Sequence, residues 1–206
     1  MSSPRMTRRE RQALQTRAEI LDAALSLFTA KGYSATTVAD IASTAGVAVA
    51  TVYTSVGTKP QLLEHLLARV VELAGVPELA AQGMATTDPR EVLRIQAHIT
   101  RLVVERAGDI VRVLGETARE SAETAAAYAE GLRRHRDGAQ FTVDRMVALD
   151  ALAVPPGDAF AVVLGLTNHH TYEALRDAGW SYDQSEDWIT ETLRLRLLRP
   201  RRRRAS

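Results

Sequence analysis

The 206-residue chain has no cysteine. That absence removes disulfide frameworks, thiolate zinc sites, thiol nucleophiles and CxxC redox chemistry together, and it suits a reducing compartment. Aromatic side chains are scarce: 3 Phe, 2 Trp and 5 Tyr. β-Branched residues gather in only a few patches, which disfavours an all-β fold. Long hydrophobic runs are missing as well. Residues 41–58 carry no charge, yet eight of those 18 are Ser, Thr or Gly, too polar for hydrocarbon. The apolar run 159–166 is only eight residues long, the length of a buried helix. No apolar segment follows the basic opening with Arg5, Arg8, Arg9 and Arg11, so a secretory signal is not expected. The expectation is a soluble cytoplasmic protein with no membrane contact.

Enzyme signatures are absent too. There is no GxSxG, no P-loop and no GxGxxG behind a strand. Glu120 and Glu123 stand one helical turn apart, but nothing orients them as acid and base. The chain reads as a non-enzyme without cofactor.

What is present is a helix-forming diet of alanine, leucine and arginine. The net charge of +1 is unevenly spread. Residues 1–75 hold 8 basic and 6 acidic side chains, residues 76–198 hold 13 and 19, and the last eight residues hold 5 and 0. A mildly basic head, an acidic body and a basic tail suggest two functional halves, the head being the polyanion contact.

Periodicity and punctuation place about nine helices and no strand. Residues 1–12 read as a flexible basic arm. A helix over 14–31 carries Ile20, Leu21, Ala24, Leu27 and Phe28 on one stripe and stops at Gly32. Thr37 with Asp40 forms a capping box for a short helix whose Val38, Ile41 and Ala42 face inward. Gly46 ends that helix, and a second short one spans 48–54 with Val52 inward. Pro60 is tolerated in the first turn of the next helix, which runs to about residue 74. Further helices are expected over 88–106, 110–120, 123–152, 158–178 and 182–198, the last capped by Ser181 with Gln184. The division is then a helix-turn-helix domain at 13–60, a helical effector-binding and dimerisation domain at 61–198, and a disordered arginine tail at 199–206.

Two short helices joined through Gly46 behind an amphipathic helix have the layout of a helix-turn-helix. The first lies across the DNA backbone, and the second presents its N-terminal side chains to base edges in the major groove. Hydroxyls at Thr37, Thr51 and Tyr53 can donate to phosphate oxygens, and Lys59 adds a charge.

These residues resemble a known family. Thr36-Thr37-Val38-Ala39-Asp40-Ile41-Ala42, Ala45-Gly46-Val47, Thr51-Val52-Tyr53, Lys59 and Leu62-Leu63 are similar to the signature of the TetR (tetracycline repressor-like) regulators. Ala23-Ala24, Leu27-Phe28 and Lys31-Gly32-Tyr33 are similar to that family's first helix. The resemblance covers residues 16–68. It implies an all-α homodimeric repressor of a palindromic double-stranded DNA operator, released by a small-molecule effector held in the C-terminal half. By position it makes Thr37, Thr51, Tyr53 and Lys59 phosphate contacts, and turns Ala48, Val49 and Ala50 toward the bases. Two departures stand out: Ser55-Val56 replaces the family's His-Phe, and Pro60 replaces its acidic residue. No Lys or Arg lies between Lys31 and Lys59, so Arg8 and Arg9, with Arg5 and Arg11, are expected to supply electrostatic affinity, through the minor groove if the arm is extended.

In the body, His98, Glu116, Tyr128, Phe141, His169 and Tyr172 are candidate effector-pocket liners on inner helix faces. His169 and Glu173 are one turn apart, but His169 and His170 are adjacent and expected to face apart, so no metal is assigned. Thr167, His170 and Thr171 share one face if that helix is continuous. Arg133-Arg134-His135-Arg136 spans a full turn and reads as a solvated segment. Trp180 and Trp188 are expected to anchor the last helix, and the helices from Asp158 and Ser181 to pair across a two-fold. Two other readings stay open: a DNA-binding dimer governed by a protein partner, and, more remotely, a helical metal-dependent hydrolase on His169 and Glu173.

Overall fold

The computed structural model describes residues 6–119 and 122–200. Among these residues there are ten α-helices and no strand beyond one isolated bridge between Leu152 and Leu198. They are α1 (Arg8–Lys31), α2 (Val38–Ala45), α3 (Val49–Val56), α4 (Lys59–Leu73), α5 (Val76–Ala85), α6 (Pro89–Thr117), α7 (Ala122–Ala148), α8 (Pro156–Leu166), α9 (His169–Asp177) and α10 (Tyr182–Leu197). No helix is long and apolar enough to cross a membrane among the described residues. The all-α class read from the sequence is the observed one.

The chain divides into two compact units, Met1–Arg69 with Arg112–Tyr128, and Val70–Val111 with Ala129–Ser206. In the first unit, α1 buries Ile20, Leu21, Ala23 and Ala24, α2 buries Ile41 and Ala42, and α3 buries Val52 and Val56. Leu62, Leu63 and Leu66 of α4 are buried in the same unit. Each buried leucine or isoleucine contributes about 1.5–3 kcal/mol relative to exposure. Thr36, 1 % exposed, donates its hydroxyl to the Gly32 carbonyl at 2.8 Å, which ties the α1–α2 turn to the end of α1.

The second unit has its own apolar core. Val92, Leu93 and Ala97 of α6, Ala139, Val143 and Met146 of α7, Ala159 and Val163 of α8, Tyr172 of α9 and Ile189, Leu193 and Leu197 of α10 form one cluster. Inside this unit is a closed polar chain. Gln96 donates to the Thr167 hydroxyl at 3.3 Å and accepts from the Thr142 hydroxyl at 2.9 Å, while Thr167 donates to the Val163 carbonyl at 2.8 Å. All three side chains are buried, so leaving any of them unpaired would be costly. The end of α10 is fastened by Arg199, which donates to the Leu152 carbonyl and to Asp150, both at 2.8 Å.

The helix boundaries differ from the sequence reading in four places. First, α1 begins at Arg8 rather than near residue 14. Thr7 and Glu10 form a capping box, with the Glu10 carboxylate accepting the Thr7 N–H at 2.7 Å and the Thr7 hydroxyl accepting the Glu10 N–H at 3.3 Å. Residues 8–12 are therefore helical, not an extended arm. Second, α5 was not anticipated; it starts after Gly75 with Pro77 in its first turn. Third, the separate helices expected over 88–106 and 110–120 are one continuous α6. Fourth, the helix expected over 158–178 is broken at Thr167-Asn168. The Asn168 side chain accepts the Thr171 N–H at 3.1 Å and starts α9 afresh. Arg5, Glu120 and the arginines at 201–204 lie outside the described residues.

Candidate nucleic-acid interface

The α2–α3 unit is built by local signals. Thr37 caps α2 reciprocally with Asp40, at 3.1 Å and 2.9 Å. Asp40 also accepts from Lys31 at 2.8 Å. That lysine bond, together with the Thr37 N–H, holds its carboxyl well below the usual carboxylate range. Gly46 then closes α2 at φ +67°, a left-handed conformation that costs a residue with a Cβ about 1–2 kcal/mol. The Val47 N–H returns to the Ala42 carbonyl at 3.0 Å, completing the tight turn. At the far end of α3, Gly57 at φ +76° is crowded as well, since a Cβ there would stand 1.9 Å from Gln61 Oε1. That glutamine oxygen accepts the Thr58 N–H at 2.8 Å and opens α4.

The geometry presents α3 outward at its leading end. Ala48 is the N-cap and makes no side-chain cap bond. Val49 is 41 % and Tyr53 51 % exposed, large apolar side chains on the surface of a helix whose Val52 and Val56 are buried. Ala48 and Ala50 are exposed and Thr51 half-buried. Thr54 spends its hydroxyl on the Ala50 and Thr51 carbonyls, both at 3.1 Å. Val56, where the family pattern has an aromatic ring, is 2 % exposed and fills part of the core. Thr37, Ala48, Val49, Ala50 and Tyr53 are each exposed.

Two contacts here were not readable from the sequence. Lys59 Nζ sits 4.0 Å from the centroid of the Tyr33 ring, and Tyr33 packs edge-on against Phe28. Burial lowers the Lys59 ammonium from its ordinary range. A cation over a ring face is held electrostatically, so the ring restrains the Lys59 ammonium. Arg17 donates to the Ser55 carbonyl, joining the middle of α1 to the end of α3. Arg8, Arg9 and Arg11 are exposed on the first turn of α1.

The body residues singled out from the sequence are not all gathered together. In the second unit, Tyr172 is fully buried and donates its hydroxyl to the Ala97 carbonyl at 3.2 Å; burial, then the Glu186 charge, push its phenol up. The neighbouring His98 pairs with Glu186 at 3.0 Å, and Glu186 also accepts from Arg101 at 3.1 Å. Phe141 is half-buried on α7. Glu116 and Tyr128 belong to the first unit. Contrary to expectation, Glu116 is a surface residue, paired with Arg112 at 2.9 Å. Tyr128 is half-buried, and its ring lies so near Gly115 that a Cβ there would stand 3.3 Å away.

Three further expectations need correction. Thr167 is buried and His170 exposed, so they do not form one polar strip; the break between α8 and α9 separates them. His169 and His170 do not face apart, because their rings lie 3.8 Å centroid to centroid. Trp188 is 41 % exposed and stacks edge-on with Trp180 at 6.1 Å instead of anchoring in the core. Within the 133–136 segment, Arg133 and Arg134 pair with Glu130, whereas His135 turns inward to the Thr167 carbonyl.

A helical DNA-binding regulator is the class this head defines. Residues 20–66 match the model of the bacterial regulatory proteins of the tetR family. Similar solved structures extend the likeness along the chain. A transcriptional regulator of the TetR/AcrR family from Thermobifida fusca is 25% identical, with a TM-score of 0.65, covering 92% of this chain and 100% of its own. The fatty acid degradation regulator FadR from Bacillus halodurans is 20% identical, with a TM-score of 0.65, covering 86% and 94%. A protein from Saccharomonospora viridis solved with choline is 19% identical, with a TM-score of 0.70, covering 91% and 100%. No curated protein matches the chain. Residues 20–66 are thus similar to the tetR-family model, and the solved structures share the fold over most of the chain. That match supports a DNA-binding regulator rather than the hydrolase reading.

Proposed function

We propose that the protein is a cytoplasmic, homodimeric repressor that binds a palindromic operator and is released from it by a small-molecule effector. The observation that carries this reading is the open leading end of α3, where Ala48 leaves the first backbone N–H groups without a side-chain cap and Val49 and Tyr53 stand exposed. Uncapped N–H groups at a helix start favour a phosphate, and small apolar side chains beside them suit thymine methyls. In this reading Thr37, Thr51, Tyr53 and Lys59 contact phosphates while Ala48, Val49 and Ala50 meet base edges. Arg8 and Arg9, on a capped helix, reach phosphates rather than thread a minor groove as an extended arm.

The DNA-binding part corresponds to 13–60 and the effector and dimer part to 61–198. For the dimer, Trp188 and Leu195 (75 % exposed) lie two turns apart on α10, and Ala161 and Gly165 give α8 an exposed face of small residues. Exposed large apolar groups beside small ones are what a self-complementary helix pairing uses. Two recognition helices would then sit roughly 34–36 Å apart or a multiple of that. His98, Phe141 and Tyr172, near the buried Gln96–Thr142–Thr167 chain, are the groups assigned to the effector, whose binding shifts the population toward a dimer that no longer spans the half-sites. The choline bound to the Saccharomonospora viridis protein supports a small-molecule effector in this fold.

Selection of binding sites from random duplex DNA, followed by a salt titration on the winning sequence, tests the reading. A palindrome with a salt slope of several phosphates per dimer is the expected result. A non-palindromic consensus would overturn the dimer, and binding without any consensus would overturn the operator.

A further inference from the structure

At the start of α9 three metal-ligating side chains converge. His169, His170 and Glu173 each offer one donor atom, and the three atoms lie within 4.8 Å of one another. Glu173 Oε2 is 3.7 Å from His169 Nε2 and 3.5 Å from His170 Nδ1. Both distances are too long for hydrogen bonds, so the carboxylate is aimed between two rings without bonding to either. They do suit donors that share an ion. With bonds of about 2.1 Å and a tetrahedral angle, two donors stand about 3.4 Å apart.

We propose that His169, His170 and Glu173 form a site for a divalent first-row transition metal of the zinc type. The backbone explains the convergence: Glu173 is four residues beyond His169 and three beyond His170, the two spacings that share a helix face. The imidazoles meet at 3.8 Å with their planes 37° apart, which turns both rings to the same side. Two nitrogens and one oxygen favour a borderline ion over magnesium or calcium, which take oxygen ligands. The side chain of His169 is only 13% exposed, so one donor of the three is held close to the protein. The helix N-terminus opposes a cation with roughly half a positive charge, and the full negative charge of Glu173 outweighs it. Three protein donors leave a coordination position for water or an anionic ligand. None of this depends on the operator or effector reading.

The test uses the full, tag-free chain, stripped by a chelator and dialysed, with zinc titrated calorimetrically. One equivalent of zinc should bind per chain. His170→Ala and Glu173→Gln change side chains that are 75% and 42% exposed, so the fold should hold, as circular dichroism checks. Each should weaken binding about tenfold or more, whereas His65→Ala leaves it unchanged. Cobalt supplies a second readout, with visible ligand-field bands in the parent chain that Glu173→Gln diminishes. Absence of one-equivalent binding, or parent-like affinity in either ligand variant, overturns the site.

Discussion

The α2–α3 head and the α6–α10 body solve the same problem, a surface of helices, in opposite ways. In the body, charges are paired off. Arg101 meets Asp183 at 2.5 Å and Glu186 at 3.1 Å, Arg94 meets Glu91 at 2.7 Å, and Glu130 holds both Arg133 and Arg134. Its helices α9 and α10 are capped by Asn168 and Ser181. In the head, α3 starts without a cap and carries no charged side chain, and its Val49 and Tyr53 point to solvent. The body pairs many of its charges and caps α9 and α10, with Arg145 Nε and Thr190 Oγ1 left as buried exceptions, whereas α3 keeps its first donors and some apolar surface open. That difference separates a part that holds shape from a part that meets another molecule, and it can be broken from either side.

The largest effect belongs to the body. Leu193 is fully buried between Ile189 and Leu197 on α10, so Leu193→Ala should destabilise the chain by about 3 kcal/mol through lost transfer energy and a residual cavity. Urea denaturation followed by circular dichroism measures it; a loss below about 1 kcal/mol would mean that the site collapses around the smaller side chain. The head should answer differently. Val49→Glu places a carboxylate on the exposed leading end of α3; if that end faces DNA as proposed, the polyanion repels it and operator affinity should fall roughly a hundredfold. Stability should move by no more than about 0.5 kcal/mol, because Val49 is 41 % exposed. If Val49→Glu bound the operator as tightly as the parent, α3 would not be the reading helix.

How much of this was legible follows from where the determining interactions lie. The α2–α3 unit was readable because its signals are three residues apart or less: Thr37 with Asp40, Gly46 at the turn, Thr58 ahead of Pro60. The capping box of Thr7 with Glu10 is just as local, but the polarity of the surrounding arginines disguised it as an arm. The break of α8 from α9 was hidden because Thr167 and Asn168 are unremarkable in a helical pattern; what stops the helix is the Asn168 cap, with Thr167 drawn into the Gln96 chain 71 residues away. The same holds for the site. Exposure of Val49 and Tyr53 follows from helix period, whereas Lys59 over Tyr33 and His98 against Glu186 depend on partners 26 and 88 residues distant, which no periodicity selects. Glu116 was misplaced for a related reason: the continuous α6 turns it to solvent beside Arg112.

Histidine titration gives the smallest effect and the finest contrast between the two parts. His135, in the body, is pushed below the ordinary value of 6.5 mainly by burial and also by Arg136, against the opposing bond to the Thr167 carbonyl. His65, in the head, is lowered by burial and by Arg17, with Glu64 opposing. A lowered folded pKa means that the unfolded chain binds more protons below 6.5, so the stability each imidazole confers is complete above that pH and is lost as pH falls toward the folded value. Asp40 and Glu130 do not confuse this window, since Lys31 and the Arg133–Arg134 pair hold their carboxyls well below it. Urea midpoints measured with chelator present should therefore fall between about pH 7.5 and about pH 5.5. His135→Gln should flatten that fall more than His65→Gln, because His135 is the more deeply buried ring and is hydrogen-bonded into the core of its unit. An unchanged slope in His135→Gln would show that its imidazole escapes desolvation on protonation, by turning away from Thr167 into water.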